Sequence, residues 1–250
     1  MTIGSTALIF GLNKELHRYV KRLANPETYE VAGLEIIVGE LAGRQVLLTN
    51  AGIGKVNVSI AATLLYDRFQ CKLVIFAGLA GGLAPGLPTG DLIIATELIQ
   101  HDYGNWIDGS FHLTQPSPPP GVPKPGAGFL LSAEIERLAR EQAILFSGEL
   151  AQQSMSIHFG RIISGDIFVL CQATRERLFR EHQALAIEME GAALAQVAQR
   201  FRRQCLIVRV VGDLAGAGPK LDEYAKVKRL DVAADFVQAI VTAHGCRRQL

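Results

Sequence analysis

The sequence predicts an α/β fold built on a sheet with buried strands. Two observations carry this. Short apolar runs, of which residues 6–11, 73–78 and 205–211 are the clearest, recur along the chain and end in glycine or a polar corner. Stretches with the apolar spacing of amphipathic helices stand between them. The length of 250 residues allows one α/β domain or two small ones. With 49% hydrophobic and 20% charged residues, the chain can fill a large core and does not read as disordered.

Residues 6–11 (TALIFG) form the first predicted strand. Asn13 is placed to cap a helix reaching about Leu23, with Leu16, Val20 and Leu23 as its stripe. Glu15 falls in the first turn, where it either complements the helix dipole or faces a pocket at the strand end. Residues 33–41 and 45–50 read as paired strands joined at Ala42-Gly43-Arg44. Ala51-Gly52-Ile53-Gly54-Lys55 follows, then a helix over 57–69. The Gly-Lys pair invites a phosphate-loop reading and fails it. Thr49 stands where that motif has its first glycine, and Val56 where it has a magnesium-binding hydroxyl. The glycines serve a tight strand-to-helix turn instead.

Residues 73–78 (LVIFAG) are the strongest buried strand, and they run into Leu79-Ala80-Gly81-Gly82-Leu83-Ala84-Pro85-Gly86. The spacing is not GxGxxG, and Pro85 and Pro88 block the helix a dinucleotide fingerprint must open. A loop whose backbone approaches a ligand closely is expected there. A strand over 91–100 ends in His101-Asp102-Tyr103. Between 104 and 128 lie six of the ten prolines, with Trp106 and Phe111 among them. That composition predicts a functional loop or an interface rather than a linker between domains.

Ser132 is the expected N-cap of an amphipathic helix to Phe146. A strand over 159–163 leads into Ser164-Gly165-Asp166-Ile167-Phe168, and a helix covers 174–181. Residues 184–187 (ALAI) form a strand that meets Glu188-Met189-Glu190, followed by the small residues Gly191, Ala192, Ala193, Ala195 and Ala198 of a helix. Two carboxylates at a buried strand end either cap that helix or grip a ligand bearing hydroxyls or positive charge. The strand over 205–211 contains Arg209, which needs an anionic partner inside such an apolar run, and it ends in Gly212-Asp213. Asp222 is placed to cap the last helix, whose stripe is Val227, Leu230, Ala234, Val237 and Val241.

Several function classes drop out at this stage. A net charge of +1 gives no electrostatic reason to bind nucleic acid or an acidic membrane. No apolar run reaches the length of a membrane span. The start of the chain lacks a basic n-region with a small-residue cleavage site, so a soluble cytoplasmic protein is expected. Cys71, Cys171, Cys205 and Cys246 show no CxxC spacing, and three lie in or beside apolar runs, as reduced core thiols do. The six histidines form neither HxxxH nor HExxH, so no metal is expected. Ligands of α/β sheets collect at strand ends. Glu15, residues 78–82 with Gly81 among them, Phe168, Glu188, Met189, Glu190, Arg209 and Asp213 are therefore expected to converge on one pocket.

NAGIGKVN, GLAGGLAPGLPTGDL, SGD-x-F, AIEMEGAALA and RVVGD, in this order, resemble the purine nucleoside phosphorylase/nucleosidase superfamily. The likeness is greatest to its methylthioadenosine/S-adenosylhomocysteine nucleosidases and covers roughly residues 7–243. It implies a three-layer α/β/α sandwich with a central twisted mixed sheet, as a single domain over 1–250, assembled as a homodimer. It implies a hydrolase that cleaves the N-glycosidic bond of adenine nucleosides, with a small-molecule nucleoside as substrate and no cofactor. On this resemblance Glu15 orients or activates the attacking water, and Met189 and Glu190 contact the ribose. Asp213 protonates adenine at N7, Phe168 stacks on the purine, and Val169 offers backbone hydrogen bonds to its edge. Arg209 and Glu188 support the water and the acidic corner.

The chemistry asks for these types. Cleavage leaves positive charge on the ribose and negative charge on the base. A protonated acid improves the leaving group, and a carboxylate near the sugar favours an oxocarbenium-like state and takes the water's proton. Two positions depart from the family pattern: Leu79, where relatives often carry Ser or Thr, and Gly212, where many carry Ser. Two alternatives stay open on the sequence. One is a phosphate-dependent purine nucleoside phosphorylase, which would need cationic or hydroxyl donors near the ribose. The other is a catalytically weakened nucleoside-binding protein.

Overall fold

The computed structural model describes residues 6–118, 120, 128–216 and 220–246. A ten-stranded mixed sheet organises them. The first strand, β1 (Thr6–Phe10), sits well inside that sheet, and α1 (Asn13–Val20) leaves its end. β2 (Ala24–Val31), β3 (Leu34–Leu41) and β4 (Arg44–Asn50) form an antiparallel meander, and β4 runs parallel to β1. Both hairpin turns, Ala32-Gly33 and Ala42-Gly43, hold two successive residues at positive φ. That is the turn geometry whose twist matches the strands it joins. β2 carries Pro26 and a polar composition, which argue against a central strand. Its place at the sheet edge, where proline is tolerated, resolves the conflict.

α2 (Lys55–Asp67) crosses to β5 (Leu73–Gly82), and β6 (Leu92–Gln100) follows. β7 (Gly104–Ile107) and β8 (Ser110–Leu113) make a separate two-stranded hairpin, and β9 (Phe129–Leu130) pairs with β6. The proline stretch thus contains a hairpin before Pro116; residues 119 and 121–127 lie outside the described residues. After α3 (Ala133–Leu145) and the short α4 (Ser147–Gln152) come β10 (Ile157–Ser164), α5 (Gln172–His182), β11 (Ala186–Glu188), α6 (Gly191–Phe201), β12 (Gln204–Asp213) and α7 (Glu223–Cys246).

The strand order is β11-β10-β6-β12-β5-β1-β4-β3-β2. β11 also pairs antiparallel with β5, Ala186 beside Gly82 and Ile187 beside Gly81, so five strands close on themselves. Helices cover both faces. Ala7, Ile9, Val74 and Phe76 pack toward α2 and α6, while the alternating Leu8, Phe10, Leu73 and Ile75 pack toward α1, α3 and α7. Strands buried on both faces read as unbroken apolar runs, which is why β1, β5 and β12 were legible. The expected three-layer arrangement around a mixed sheet is the observed one.

Four local expectations are corrected. The segment 79–82 continues β5 instead of forming a loop, because the backbone of Gly81 and Gly82 is claimed by β11. Asn13 is the first helical residue of α1 rather than its cap; the Gly11 and Leu12 amides are satisfied by the Glu15 carboxylate. α1 stops at Val20, short of Leu23. Glu188 belongs to β11 rather than following it. Elsewhere the caps stand as expected: the Ile135 amide donates to Ser132 Oγ at 3.4 Å, and the Ala225 amide to Asp222 Oδ1 at 2.7 Å.

Candidate active site

The ends of β1, β5, β11 and β12 surround a cavity of about 270 Å³. Small-molecule clefts usually run from roughly 300 to 1,000 Å³, so this one suits a compact ligand. Glu15, Gly81, Phe168, Val169, Glu188, Met189, Glu190, Arg209 and Asp213 all line it. The sequence-predicted residues are therefore brought together at one sheet edge.

Arg209 is the fixed point. Its guanidinium lies 4.0 Å over the centroid of the Phe76 ring and donates through Nη2 to Glu188 and, at 3.4 Å, to Glu190. Glu188 carries several bonds at once. It accepts from the Gly191 amide at 2.9 Å, from the Glu190 amide at 3.3 Å, and from the Ser164 hydroxyl. Ser164 Oγ in turn accepts from the Ala192 amide at 2.8 Å. Capping α6 and pairing with Arg209 are thus both tasks of Glu188, and both it and Glu190 line the cavity.

Glu190 is held by fewer donors. The Gly54 amide donates to its Oε1 at 2.8 Å. Burial, reinforced by the charge of Glu188, pushes its carboxyl up to about 7. Glu15 reaches the cavity from the first turn of α1. It accepts from the Gly11 and Leu12 amides at 3.2 and 3.1 Å and from the Leu79 amide at 3.1 Å. Burial raises its carboxyl too, with the Arg209 charge and these amides acting against the rise. Helix-end acid and pocket acid are the same residue. Gly78 makes the arrangement possible: a Cβ there would stand 2.7 Å from both Arg209 Nη1 and Glu15 Oε1.

Asp213 ends β12. Val211 pairs with Ala80 and Asp213 with Gly81, so Gly212 is the extra residue of a bulge. The Ala215 amide donates to Asp213 Oδ1 at 2.8 Å. A side chain bonded to an amide two residues on orients itself locally, so a neighbouring serine is not required to hold it. Leu79 and Gly212 form one feature: a Cβ at Gly212 would lie 3.4 Å from Leu79 Cδ2. That is ordinary van der Waals contact, so the two departures are neighbours in the fold.

The remaining wall is apolar. Leu12, Ile53, Ile167, Phe168, Val169 and Met189 line it. Phe168 is 66% exposed and stands at the mouth, while Val169 is buried. Part of the loop over 214–221 also borders the cavity through Ala215, with residues 217–219 outside the described residues. Among the described residues no group of His, Cys, Asp and Glu is arranged to hold a metal ion, and no helix is long and apolar enough to cross a membrane. Sequence reasoning missed Ser164, Phe76 and Gly54. Ser164 stood within a quoted motif without a role. The Gly54 amide offers no side chain to read.

The chain is similar to known proteins over most of its length. A family model described as the phosphorylase superfamily matches residues 5–244. A 5'-methylthioadenosine/S-adenosylhomocysteine nucleosidase of Mycobacterium bovis is 36% identical over 233 residues, covering 89% of each chain. The crystal structure of the Helicobacter pylori enzyme of the same name, with butyl-thio-DADMe-Immucillin-A, is similar with a TM-score of 0.80 at 26% identity, over 97% of this chain and 100% of that one. A futalosine hydrolase structure of Helicobacter pylori is also similar, with a TM-score of 0.78 at 26% identity, over 96% and 98% of the two chains.

Proposed function

The chain belongs to the phosphorylase superfamily, and from that premise we propose a residue-level account of its cavity as a nucleosidase site. The chain is a hydrolase that cleaves the N-glycosidic bond of adenine nucleosides of the methylthioadenosine/S-adenosylhomocysteine type, as its named relatives do.

The purine lies against Phe168, with the backbone of Val169 at its edge. Asp213 donates a proton to N7 as the bond to the sugar breaks, so the base leaves neutral. Met189 covers the ribose, and Glu190 binds its hydroxyls. Ionised Glu190 also stabilises the positive charge that develops on the sugar. Glu15 holds a water at the anomeric carbon and takes its proton as the new C–O bond forms. Arg209 and Glu188 act behind them, keeping Glu190 and Glu15 apart and oriented.

The observation that carries hydrolysis over phosphorolysis is the charge state of the wall. The cations lining the cavity, Arg209 and Lys226, are both paired with carboxylates: Glu188 and Glu190 for the first, Glu223 at 2.8 Å for the second. Lys14 and Arg18, the nearby cations in sequence, are drawn to Glu223 and Asp231 on α7. With Arg209 and Lys226 both engaged, the described lining offers a phosphate dianion no unpaired cation and leaves water as the nucleophile. The acids Glu15, Glu190 and Asp213 standing together also speak against a protein that only binds nucleosides.

The site belongs to a single domain and works in a homodimer in this proposal. The hairpin bearing Trp106 and Phe111 supplies the neighbour's pocket wall, since exposed aromatic rings of this kind anchor interfaces. The test of the activity is base release from methylthioadenosine, S-adenosylhomocysteine, adenosine and inosine, each with and without phosphate. Adenine release from the first two, independent of phosphate, is expected. Release that requires phosphate, or none from any riboside, overturns the account.

A further inference from the structure

The Gly-Lys pair that failed as a phosphate loop is still to be explained. Lys55 is the first residue of α2 and is not among the residues that line the cavity. Nζ meets Asp102 Oδ1 at 2.7 Å, just past the end of β6, and Asp166 Oδ2 at 3.4 Å, just past the end of β10. The Lys55 amide donates to Asp166 Oδ1 at 3.2 Å, and the Asp166 amide donates to Asp102 Oδ2 at 2.8 Å. The three residues thus bond one another in a ring. The Lys55 and Asp102 side chains are 18% and 17% exposed, so solvent screens this pair less than a surface one. Burial acts to raise the Asp102 carboxyl, but hydrogen bonds from Lys55 and the Asp166 amide, with the Lys55 charge, hold it below the usual carboxylate range.

What the ring ties together matters for the site. Immediately before Lys55 stand Ile53, a cavity-lining residue, and Gly54, whose amide donates to Glu190. Immediately after Asp166 stand Ile167 and Phe168, which also line the cavity. Neither segment has secondary structure to fix it. Gly54 sits at φ +104°, a conformation that glycine adopts readily and other residues rarely do, so the turn has no side chain of its own to anchor it.

We propose that Lys55 is a positioning residue for the nucleosidase reaction: by bridging Asp102 and Asp166 it sets the Gly54 amide on Glu190 and fixes the gap between Ile53 and Phe168 into which the nucleoside slides. The inference rests on the nucleosidase reading of the cavity. It assigns Lys55 to binding rather than to the chemical step. A misplacement of about 1 Å in a positioned group costs on the order of 10²-fold, so loss of the bridge is expected to be costly even though Lys55 touches no substrate.

The experiment is steady-state kinetics on methylthioadenosine for the parent, Lys55→Met, Lys55→Arg and Asp166→Asn, with the melting temperature of each. Lys55→Met is expected to raise KM by roughly 10-fold or more, with a smaller fall in kcat. Lys55→Arg, which keeps a charge for both carboxylates, is expected to recover most of the loss. A merely structural lysine would lower the folded fraction, and hence kcat, without moving KM. Asp166 is on the surface, so Asp166→Asn keeps the Lys55–Asp102 pair and folds; it is expected to raise KM in the same direction by less. If Lys55→Met fails to fold, Asp166→Asn decides, and a parental KM in it overturns the inference. A parental KM in folded Lys55→Met overturns it directly. A parent that releases no base overturns the nucleosidase reading, and this inference with it.

Discussion

Arg209 and Glu188 meet inside the sheet, each with only 2% of its side chain exposed. The pair joins β12 to β11 at the point where the closed half of the sheet turns into the cavity. An arginine in an apolar strand is costly to desolvate, and what offsets it here is a carboxylate that is itself bonded to Ser164 and to the start of α6. The two charges are retained for placement: they set where Glu190 can stand.

Removing one partner of this pair strands the other. Arg209→Met is expected to destabilise the fold by about 3–5 kcal/mol, the range for breaking a buried ion pair. Urea unfolding of parent and variant measures it. A loss below about 1 kcal/mol would show that Glu188 is satisfied by its other donors alone.

Asp213→Asn removes the proposed proton donor and little else. The Asn side-chain oxygen can still accept from the Ala215 amide, so the melting temperature is expected to stay within a few degrees of the parent. Adenine release is expected to fall by about 10²-fold or more, the scale of a general acid. A folded variant with the parental rate removes Asp213 from the mechanism.

Glu190→Gln separates activity from stability through pH. Raised from 4.5 to about 7, this carboxyl keeps its proton in the folded state over a range where the unfolded chain has lost it. Stability therefore falls as pH rises through that window, and the penalty is complete above about pH 7. The Gln variant lacks the penalty. Its melting temperature relative to the parent is expected to be higher at pH 8 than at pH 5, while its turnover is lower throughout. In the parent, kcat/KM is expected to decline below about pH 7, as the ribose-binding form is protonated. A stability difference that is flat between pH 5 and 8 would contradict the raised carboxyl.

Trp106 is 74% exposed and packs edge-on against Phe111 at 5.8 Å, in a hairpin outside the main sheet. Such a pair gains from burial against a second copy. Trp106→Glu is expected to shift a homodimer toward monomer in sedimentation and to lower activity at nanomolar protein. A parent that is monomeric and fully active at that dilution would end the proposal.

Much was legible from the sequence because its signals are local. Apolar runs buried on both faces identified β1, β5 and β12, and the positions of Ser132 and Asp222 identified the starts of α3 and α7. An arginine in an apolar strand announced a buried anion, and Glu188 is that anion. The carboxylates at strand ends, read with five motifs in order, pointed to the cavity that does contain them. The tertiary structure decided what depends on pairing across the chain. It gave residues 79–82 to β5, because β11 bonds there, and made a strand of 24–31 despite Pro26, because an edge leaves the missing amide harmless. It split the two acids of the corner: Glu188 bonds Arg209 and the start of α6, while Glu190 accepts from the Gly54 amide. It also placed Lys55 between Asp102 and Asp166, residues 47 and 111 positions away. No window of sequence contains that ring, since hydrogen bonds between distant loops exist only once the strands beneath them have paired.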